Sequence, residues 1–227
     1  MYTSNTDFIS PIEIETKTPV EKSIIWLHGL GADGSDFVPI INELDLPSAD
    51  GIRFIFPHAP VIPVTFNNGY AMRAWFDIYE LSLHAKVDEA RILASVQAIN
   101  QLIVNEEARG ILSNQIILAG FSQGAVIALN TGIRYPKPLG GVLALSGFLP
   151  LATQVFANAS LANQHLPIFV GHGTEDALVP YAFGKTTYMD LKQAGYPVDW
   201  HSYQMGHTVC GPELQDISRW LQERWKR

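Results

Sequence analysis

The chain has 227 residues, of which 47% are hydrophobic and 16% charged, and its formal net charge is −7. This is the composition of a globular protein rather than a disordered one. The negative charge argues against binding to nucleic acid or to an anionic membrane, because both need a basic surface. The single cysteine, Cys210, excludes an internal disulfide bond and favours a reducing compartment.

The chain shows no feature that would direct it to a membrane or divide it. The N-terminal residues lack the basic start and apolar core of a signal peptide, and no apolar run is long enough to span a bilayer. No lipid attachment site lies near the N-terminus. We find neither an internal repeat nor a linker. We therefore expect one domain over residues 1–227, located in the cytoplasm without a stable membrane anchor.

Short apolar runs bounded by turn residues predict the strands of a sheet. The first run, residues 12–15, alternates between apolar and charged residues and fits an exposed antiparallel edge strand. Most of the later runs are apolar on both faces, which is typical of strands buried in a parallel sheet. These runs cover residues 23–28, 52–56, 115–119, 141–146, 167–172 and 198–203.

Helical patterns fill the intervals between these strands. They cover residues 87–107, 122–134 and 179–194, and a last helix opens with Pro212 in its first turn. Gly110 and Gly195 are placed to end two of these helices. Strands that alternate with helices predict an α/β fold with a mostly parallel central sheet and helices on both faces. In such folds ligands bind at the carboxyl ends of the strands.

Residues 60–84 do not fit this pattern. The segment is rich in aromatic residues and has neither a clear helical nor a clear strand period, so we expect an irregular loop. It is either an excursion that buries its own aromatic side chains or a lid and acyl-binding wall beside a site. Trp75 is its best candidate for a structural anchor.

A nucleophilic serine is indicated by the sequence Gly-Phe-Ser-Gln-Gly at residues 120–124, which follows a predicted buried strand and precedes a predicted helix. In this strand-turn-helix setting the serine sits on a sharp, strained turn with its hydroxyl above the end of the sheet. The flanking glycines leave space for the turn. Ser122 is therefore the candidate nucleophile.

A serine hydroxyl needs a base and a group that orients the base. His207 lies in the loop between the last predicted strand and the last helix, and Asp176 follows the strand before it. The chain order Ser122, Asp176, His207 is that of the α/β-hydrolase fold. Glu175 is an alternative to Asp176 as the acid, although its side chain is expected to face solvent. The other histidines, including His28 and His172 in strand-end turns, are expected to shape or pack the structure.

Catalysis by a serine also needs backbone N–H groups that bind the oxyanion. Gln123, the residue after the nucleophile, is one candidate donor, and Leu30 in the glycine-containing loop after the strand at residues 23–28 is the other. The same loop lacks the pattern of a phosphate-binding loop. No group of histidine, cysteine and acidic residues has the spacing of a metal site.

Taken together, these motifs resemble the phospholipase/carboxylesterase family, which includes acyl-protein thioesterases and small bacterial carboxylesterases. The resemblance runs over nearly the whole chain in matching order. It rests on His-Gly-Leu-Gly-Ala-Asp-Gly at 28–34, Ala-Trp-Phe-Asp at 74–77, residues 120–124, Leu-Ser-Gly-Phe-Leu-Pro at 145–150, Gly-His-Gly at 171–173 with Asp176 and Val179-Pro180, and Met-Gly-His-Thr at 205–208.

The resemblance implies a serine hydrolase that cleaves carboxylic esters and thioesters of acyl chains without a cofactor. It assigns Ser122, Asp176 and His207 to the catalytic triad, and Leu30 and Gln123 to the oxyanion hole. It also implies that residues 60–84, with Trp75 and Phe76, and the pair Phe148 and Leu149 line an acyl channel.

Two departures from the family pattern are visible. Ala125 stands where members commonly have a second glycine after the serine, and the N-terminal cysteine that can carry a lipid in some members is absent. The first is a mild change inside a helix, and the second makes recruitment to membranes by that route doubtful.

Two other functions stay open at this point. One is a lysophospholipase that works at a lipid surface, and the other is a catalytically silent scaffold that only binds a ligand or partner. The substrate would be a small-molecule or lipid acyl compound or an acylated protein, and a homodimer is a further expectation.

Overall fold

The computed structural model describes residues 10–47, 51–80, 82 and 86–226. The first nine residues, on which the expectation about a signal peptide rests, lie outside this part of the chain. Nine strands are present in it: β1 (Ile12–Glu15), β2 (Lys22–Leu27), β3 (Ile52–Phe56), β4 (Val61–Val64), β5 (Tyr70–Arg73), β6 (Ile116–Phe121), β7 (Gly141–Leu145), β8 (Ile168–Gly173) and β9 (Val198–Tyr203).

Seven of these strands form the central sheet in the spatial order β1-β3-β2-β6-β7-β8-β9. The strand β1 pairs antiparallel with β3, and every other pairing in the sheet is parallel. The expected edge strand and the expected parallel sheet are therefore both confirmed. The ends of the predicted strands differ from the observed ends by at most two residues.

Helices connect the parallel strands, and one further helix follows the last strand. They are α1 (Ile40–Glu43), α2 (Glu89–Ala108), α3 (Gln123–Arg134), α4 (Ala152–Ala157), α5 (Tyr181–Gln193) and α6 (Gly211–Trp225). Gly110 and Gly195 follow the ends of α2 and α5 with φ of 95° and 89°, the left-handed conformation that a glycine adopts without steric cost. Within the described ranges, no helix is both long enough and apolar enough to cross a membrane.

The core consists of two layers, one on each face of the sheet. Successive side chains of a strand point to opposite faces, so Ile25 and Leu27 of β2 join the layer that packs against α2 and α3. Ile24 and Trp26 of the same strand join the other layer, which packs against α6. All four side chains are fully buried, which explains why the sequence of β2 is apolar without alternation.

Residues 60–84 are more regular than the sequence predicts. Strands β4 and β5 form an antiparallel hairpin, and a short 3-10 helix, Thr65–Asn67, leads into its turn. Asn68 and Gly69 take the left-handed conformation that closes the turn, with φ of 54° and 75°. The expectation of an irregular loop is therefore wrong for this part. Residues 81, 83 and 84 of the segment lie outside the described residues.

Candidate active site

Ser122 lies at the sharp turn between β6 and α3, at the carboxyl edge of the sheet. Its φ of 55° and ψ of −117° are unusual for a residue with a side chain, and its N–H donates to the Leu145 carbonyl at 2.8 Å. The glycines of the motif are required by close packing. A Cβ on Gly120 would lie 2.3 Å from the backbone of Gly124, and one on Gly124 would lie 2.3 Å from the Leu27 carbonyl oxygen.

The departure at Ala125 is accommodated by a neighbouring glycine. A Cβ added to Gly147 would lie 2.5 Å from the Ala125 Cβ, so the space beside Ala125 exists because Gly147 has no side chain. The extra methyl group of Ala125 is therefore buried in the space that Gly147 leaves.

Asp176 and His207 form a hydrogen-bonded pair at the carboxyl ends of β8 and β9. The His207 Nδ1 lies 2.7 Å from the Asp176 Oδ2. The other carboxylate oxygen, Oδ1, accepts the N–H groups of Leu178 at 2.9 Å and Val179 at 2.8 Å. Because a carboxylate only accepts hydrogen bonds, the ring proton of His207 is on Nδ1 and its Nε2 is free to act as a base.

The choice between Asp176 and Glu175 is decided by burial. The Asp176 side chain is fully buried against His207, whereas Glu175 is exposed to solvent. Glu175 thus faces solvent as the sequence suggested, and Asp176 is the carboxylate that can orient the histidine.

Ser122 and His207 line one cavity of about 630 Å³. No hydrogen bond joins their side chains in the described part of the chain, an arrangement that is common before a substrate binds. Six phenylalanine rings are among the residues that line the cavity and make it suitable for an apolar ligand. Those rings belong to Phe37, Phe66, Phe76, Phe121, Phe148 and Phe183.

Both candidate oxyanion donors lie beside Ser122. Gln123 is the first residue of α3, so its N–H has no acceptor within the helix. Leu30 lines the cavity in the loop after β2. This loop touches the turn that carries the serine, because a Cβ on Gly29 would lie 3.4 Å from the Ser122 Cβ.

Besides its backbone N–H, Gln123 contributes two side-chain hydrogen bonds that the sequence did not indicate. Its Oε1 accepts the Trp75 N–H at 2.8 Å, and its Nε2 donates to the Phe76 carbonyl at 2.7 Å. The side chain is buried and holds the backbone of the cavity wall against the start of α3. Nothing in the sequence pattern signals these bonds, since their acceptor and donor are backbone atoms about fifty positions away.

The four expected substrate-binding residues divide into two pairs. Phe76 and Phe148 line the cavity, whereas Trp75 and Leu149 do not. Trp75 is buried in the core, where its Nε1 donates to the His28 carbonyl at 2.9 Å. Leu149 is also a core residue. Trp75 and Leu149 were both expected to line the acyl channel, but both lie in the core and do not line this cavity. Trp75 is the anchor that the sequence suggested.

Two buried histidines lie next to residues of the site. Burial lowers the pKa of His28 to about 4, although its contact with the Gly29 carbonyl partly opposes this effect. Burial also lowers the pKa of His172, whose Nε2 lies 2.9 Å from the Val179 carbonyl and 3.6 Å from the Asp176 carboxylate. Both rings are neutral at neutral pH. His28 lies just after β2, as the sequence suggested, whereas His172 is a residue of β8 and its ring contacts the segment that follows the strand.

The described residues contain no cluster of three or more histidine, cysteine, aspartate and glutamate side chains that could hold a metal ion. What the described side chains do provide at this edge of the sheet is a serine on a strained turn, a paired histidine and carboxylate, and an apolar cavity. These are the components of a serine-dependent hydrolase.

Comparison with known proteins agrees with this geometry. The phospholipase/carboxylesterase family matches residues 11–224 of the chain. Acyl-protein thioesterase 1 of Yarrowia lipolytica is 36% identical over 222 residues, which cover 95% of this chain and 97% of the relative. Carboxylesterase SOBER1 of Arabidopsis thaliana is 34% identical over 206 residues, which cover 89% of this chain and 90% of the relative.

Solved structures show the same similarity. The crystal structure of Arabidopsis thaliana SOBER1 superposes with a TM-score of 0.85 at 33% identity and covers 89% of this chain and 98% of its own. That of Zea mays acyl-protein thioesterase 2 also gives a TM-score of 0.85, at 30% identity, covering 94% of this chain and 98% of its own.

The chain therefore belongs to the phospholipase/carboxylesterase family and has the α/β-hydrolase fold. It is a serine hydrolase that acts on carboxylic esters. Neither a silent scaffold nor a dedicated lysophospholipase is needed to account for these findings.

Proposed function

We propose that this hydrolase cleaves carboxylic esters and thioesters of acyl chains through an acyl-enzyme intermediate on Ser122. The observation that carries the proposal is the 2.7 Å hydrogen bond that joins the buried Asp176 to His207, which lines the same apolar cavity as Ser122. Similarity to the acyl-protein thioesterase of Yarrowia lipolytica extends the proposed substrates to acyl thioesters, including those carried by proteins.

The first half of the reaction acylates the serine. The His207 Nε2 takes the Ser122 hydroxyl proton while the Ser122 Oγ forms a bond to the carbonyl carbon of the substrate. The carbonyl oxygen becomes negative and accepts the N–H groups of Leu30 and Gln123. The bond to the alcohol or thiol then breaks, and His207 gives its proton to the leaving oxygen or sulfur.

The second half releases the acid. His207 takes a proton from a water molecule, whose oxygen attacks the acyl carbon, and the same two N–H groups stabilise the second oxyanion. The bond to the Ser122 Oγ breaks, and the serine recovers its proton from His207. Asp176 keeps the ring oriented and stabilises its positive charge in both halves.

The cavity supports an acyl chain as the group retained on the serine. Its walls are largely apolar, and Phe66 and Leu178 on its lining are about half exposed, which leaves an apolar path from solvent. Burial of each methylene group there contributes about 0.8 kcal/mol. A cytoplasmic location and a homodimer stay predictions of the sequence.

The proposal is tested with a series of p-nitrophenyl esters from acetate to palmitate and the matching acyl thioesters. We expect both series to be cleaved and Ser122→Ala to lose the activity while it keeps its fold. Ser202→Ala, which alters an exposed serine on β9, is the matched control and should retain wild-type rates. Undiminished turnover by Ser122→Ala would contradict the proposal.

A further inference from the structure

The peptide group that joins Gly29 to Leu30 carries two atoms that matter to the site. Its carbonyl oxygen belongs to Gly29 and its N–H belongs to Leu30, a proposed oxyanion donor. Because a peptide group is planar and trans, these two bonds point in opposite directions. A side chain that fixes the Gly29 carbonyl therefore also fixes the direction of the Leu30 N–H.

His28 contacts this carbonyl. Its Nδ1 lies 2.7 Å from the Gly29 oxygen, and the ring is fully buried. The other ring nitrogen, Nε2, accepts the Ala59 N–H at 3.0 Å and so carries no proton. In the neutral ring the proton must then be on Nδ1, which donates to the Gly29 carbonyl. The lowered pKa of His28 agrees with a neutral ring.

His28 is itself held through both its backbone and its ring. The Trp75 Nε1 donates to the His28 carbonyl at 2.9 Å, and the two rings pack with centroids 5.2 Å apart. Arg73 donates to the Ala59 carbonyl at 2.9 Å, which fixes the segment that supplies the N–H to Nε2.

The residue after Leu30 is fixed as well. The Gly31 N–H donates to the Arg73 carbonyl at 2.9 Å. The two hydrogen bonds, at Gly29 and at Gly31, lie on either side of the Leu30 N–H and leave it little freedom to rotate. An oxyanion donor is most effective when it is fixed in place before the reaction.

We propose that His28 is a positioning residue, which orients the Leu30 N–H toward the oxyanion by donating from Nδ1 to the Gly29 carbonyl. This proposal rests on the proposed function, because it assigns a role in the same site. His28 touches neither the substrate nor the reacting atoms, and it acts only through the peptide group that it holds.

Two substitutions separate the two hydrogen bonds of the ring. In His28→Asn the amide nitrogen occupies the place of Nδ1 and can still donate to the Gly29 carbonyl. In His28→Gln the longer side chain occupies the place of Nε2 and can still accept from Ala59, but the donor to Gly29 is lost. Both variants lose the ring and its packing against Trp75, so they are matched for structural damage.

The readouts are kcat, KM, the melting temperature and the inhibition constant of an alkyl trifluoromethyl ketone, whose hemiketal adduct with the serine carries an oxyanion. We expect His28→Gln to lose roughly 10- to 100-fold in kcat with little change in KM, since losing a whole oxyanion donor costs about 10²- to 10³-fold. The inhibition constant should rise by the same factor. His28→Asn should stay within roughly 5-fold of the wild type in both.

Equal losses in the two variants, or wild-type kcat and inhibition in His28→Gln, would overturn the positioning role. Nitrogen NMR of the wild-type protein tests it without any variant, and a proton on Nε2 instead of Nδ1 would overturn it too. Ser122→Ala is measured alongside. If that variant stays active, the proposed function fails; if it is inactive while His28→Gln is unimpaired, only the role of His28 fails.

Discussion

Glu213 is a buried acid outside the proposed chemistry, and its replacement gives a sharp prediction about stability. It lies in the first turn of α6 and is fully buried. A Cβ on Gly171 of β8 would lie 2.2 Å from the Glu213 Oε1, so the carboxyl group fills space that this glycine leaves. Burial raises the pKa of Glu213 from 4.5 to about 8, the nearby Asp216 adds to this effect, and the Cys210 backbone opposes it.

The sign of the pH dependence follows from the raised pKa. Between pH 4.5 and about 8 the unfolded chain has lost the Glu213 proton while the folded chain retains it, so stability falls as the pH rises. A pKa that is higher by one in the folded chain than in the unfolded chain corresponds to about 1.4 kcal/mol of stability, which makes the total loss up to about 5 kcal/mol over this window. The loss is complete above the folded pKa.

Glu213→Gln removes this titration. We measure the free energy of unfolding of the variant and of the wild type by urea denaturation at pH 5, 6, 7 and 8. The difference between them should change steadily in favour of the variant as the pH rises, by several kcal/mol between pH 5 and pH 8. Glu223→Gln, on the exposed side of the same helix, is the control and should follow the wild type. A constant difference between Glu213→Gln and the wild type at all four values would refute the reasoning.

Three further predictions concern the triad, the core and the cavity. Asp176→Asn should keep the fold but lose roughly 10³- to 10⁴-fold in kcat, because the histidine loses the partner that orients it; steady-state kinetics would contradict this with a loss below 10-fold. Glu106→Gln should cost about 3 kcal/mol in urea denaturation, because this buried carboxylate pairs with Arg53 and Arg109; an unchanged midpoint would exclude that role. Phe66→Ala should raise KM about 5-fold for long-chain esters, which corresponds to about 1 kcal/mol of lost apolar contact for a half-exposed ring, and leave the acetate ester unchanged; equal effects on both esters would place the acyl chain elsewhere.

The sheet could be predicted from the sequence because its strands are buried on both faces. Such strands are continuous apolar runs bounded by turn residues, and the run in β6 ends directly at Ser122. The hairpin of β4 and β5 does not follow from the sequence in the same way, because most of its residues are exposed or only half-buried and no alternating pattern marks it. The Asn68-Gly69 turn is the signal that could have indicated it.

The placement of the site followed from topology, since residues just after parallel strands meet at one edge of the sheet. Which of two neighbouring aromatic residues faces a cavity does not follow from topology. Trp75 and Phe76 are adjacent, yet one is anchored in the core by the His28 carbonyl and the other lines the cavity. The hydrogen bonds of the Gln123 side chain could not be predicted from the sequence either, because they join it to backbone atoms of a distant segment.

The central claim is that Ser122 is the nucleophile. The most direct test is reaction of the protein with a fluorophosphonate, which forms a stable adduct with an activated serine, followed by intact-mass measurement and peptide mapping. We predict one adduct per chain, located on Ser122, and none on Ser122→Ala. An unlabelled wild-type protein, or an adduct on another residue, would contradict the account.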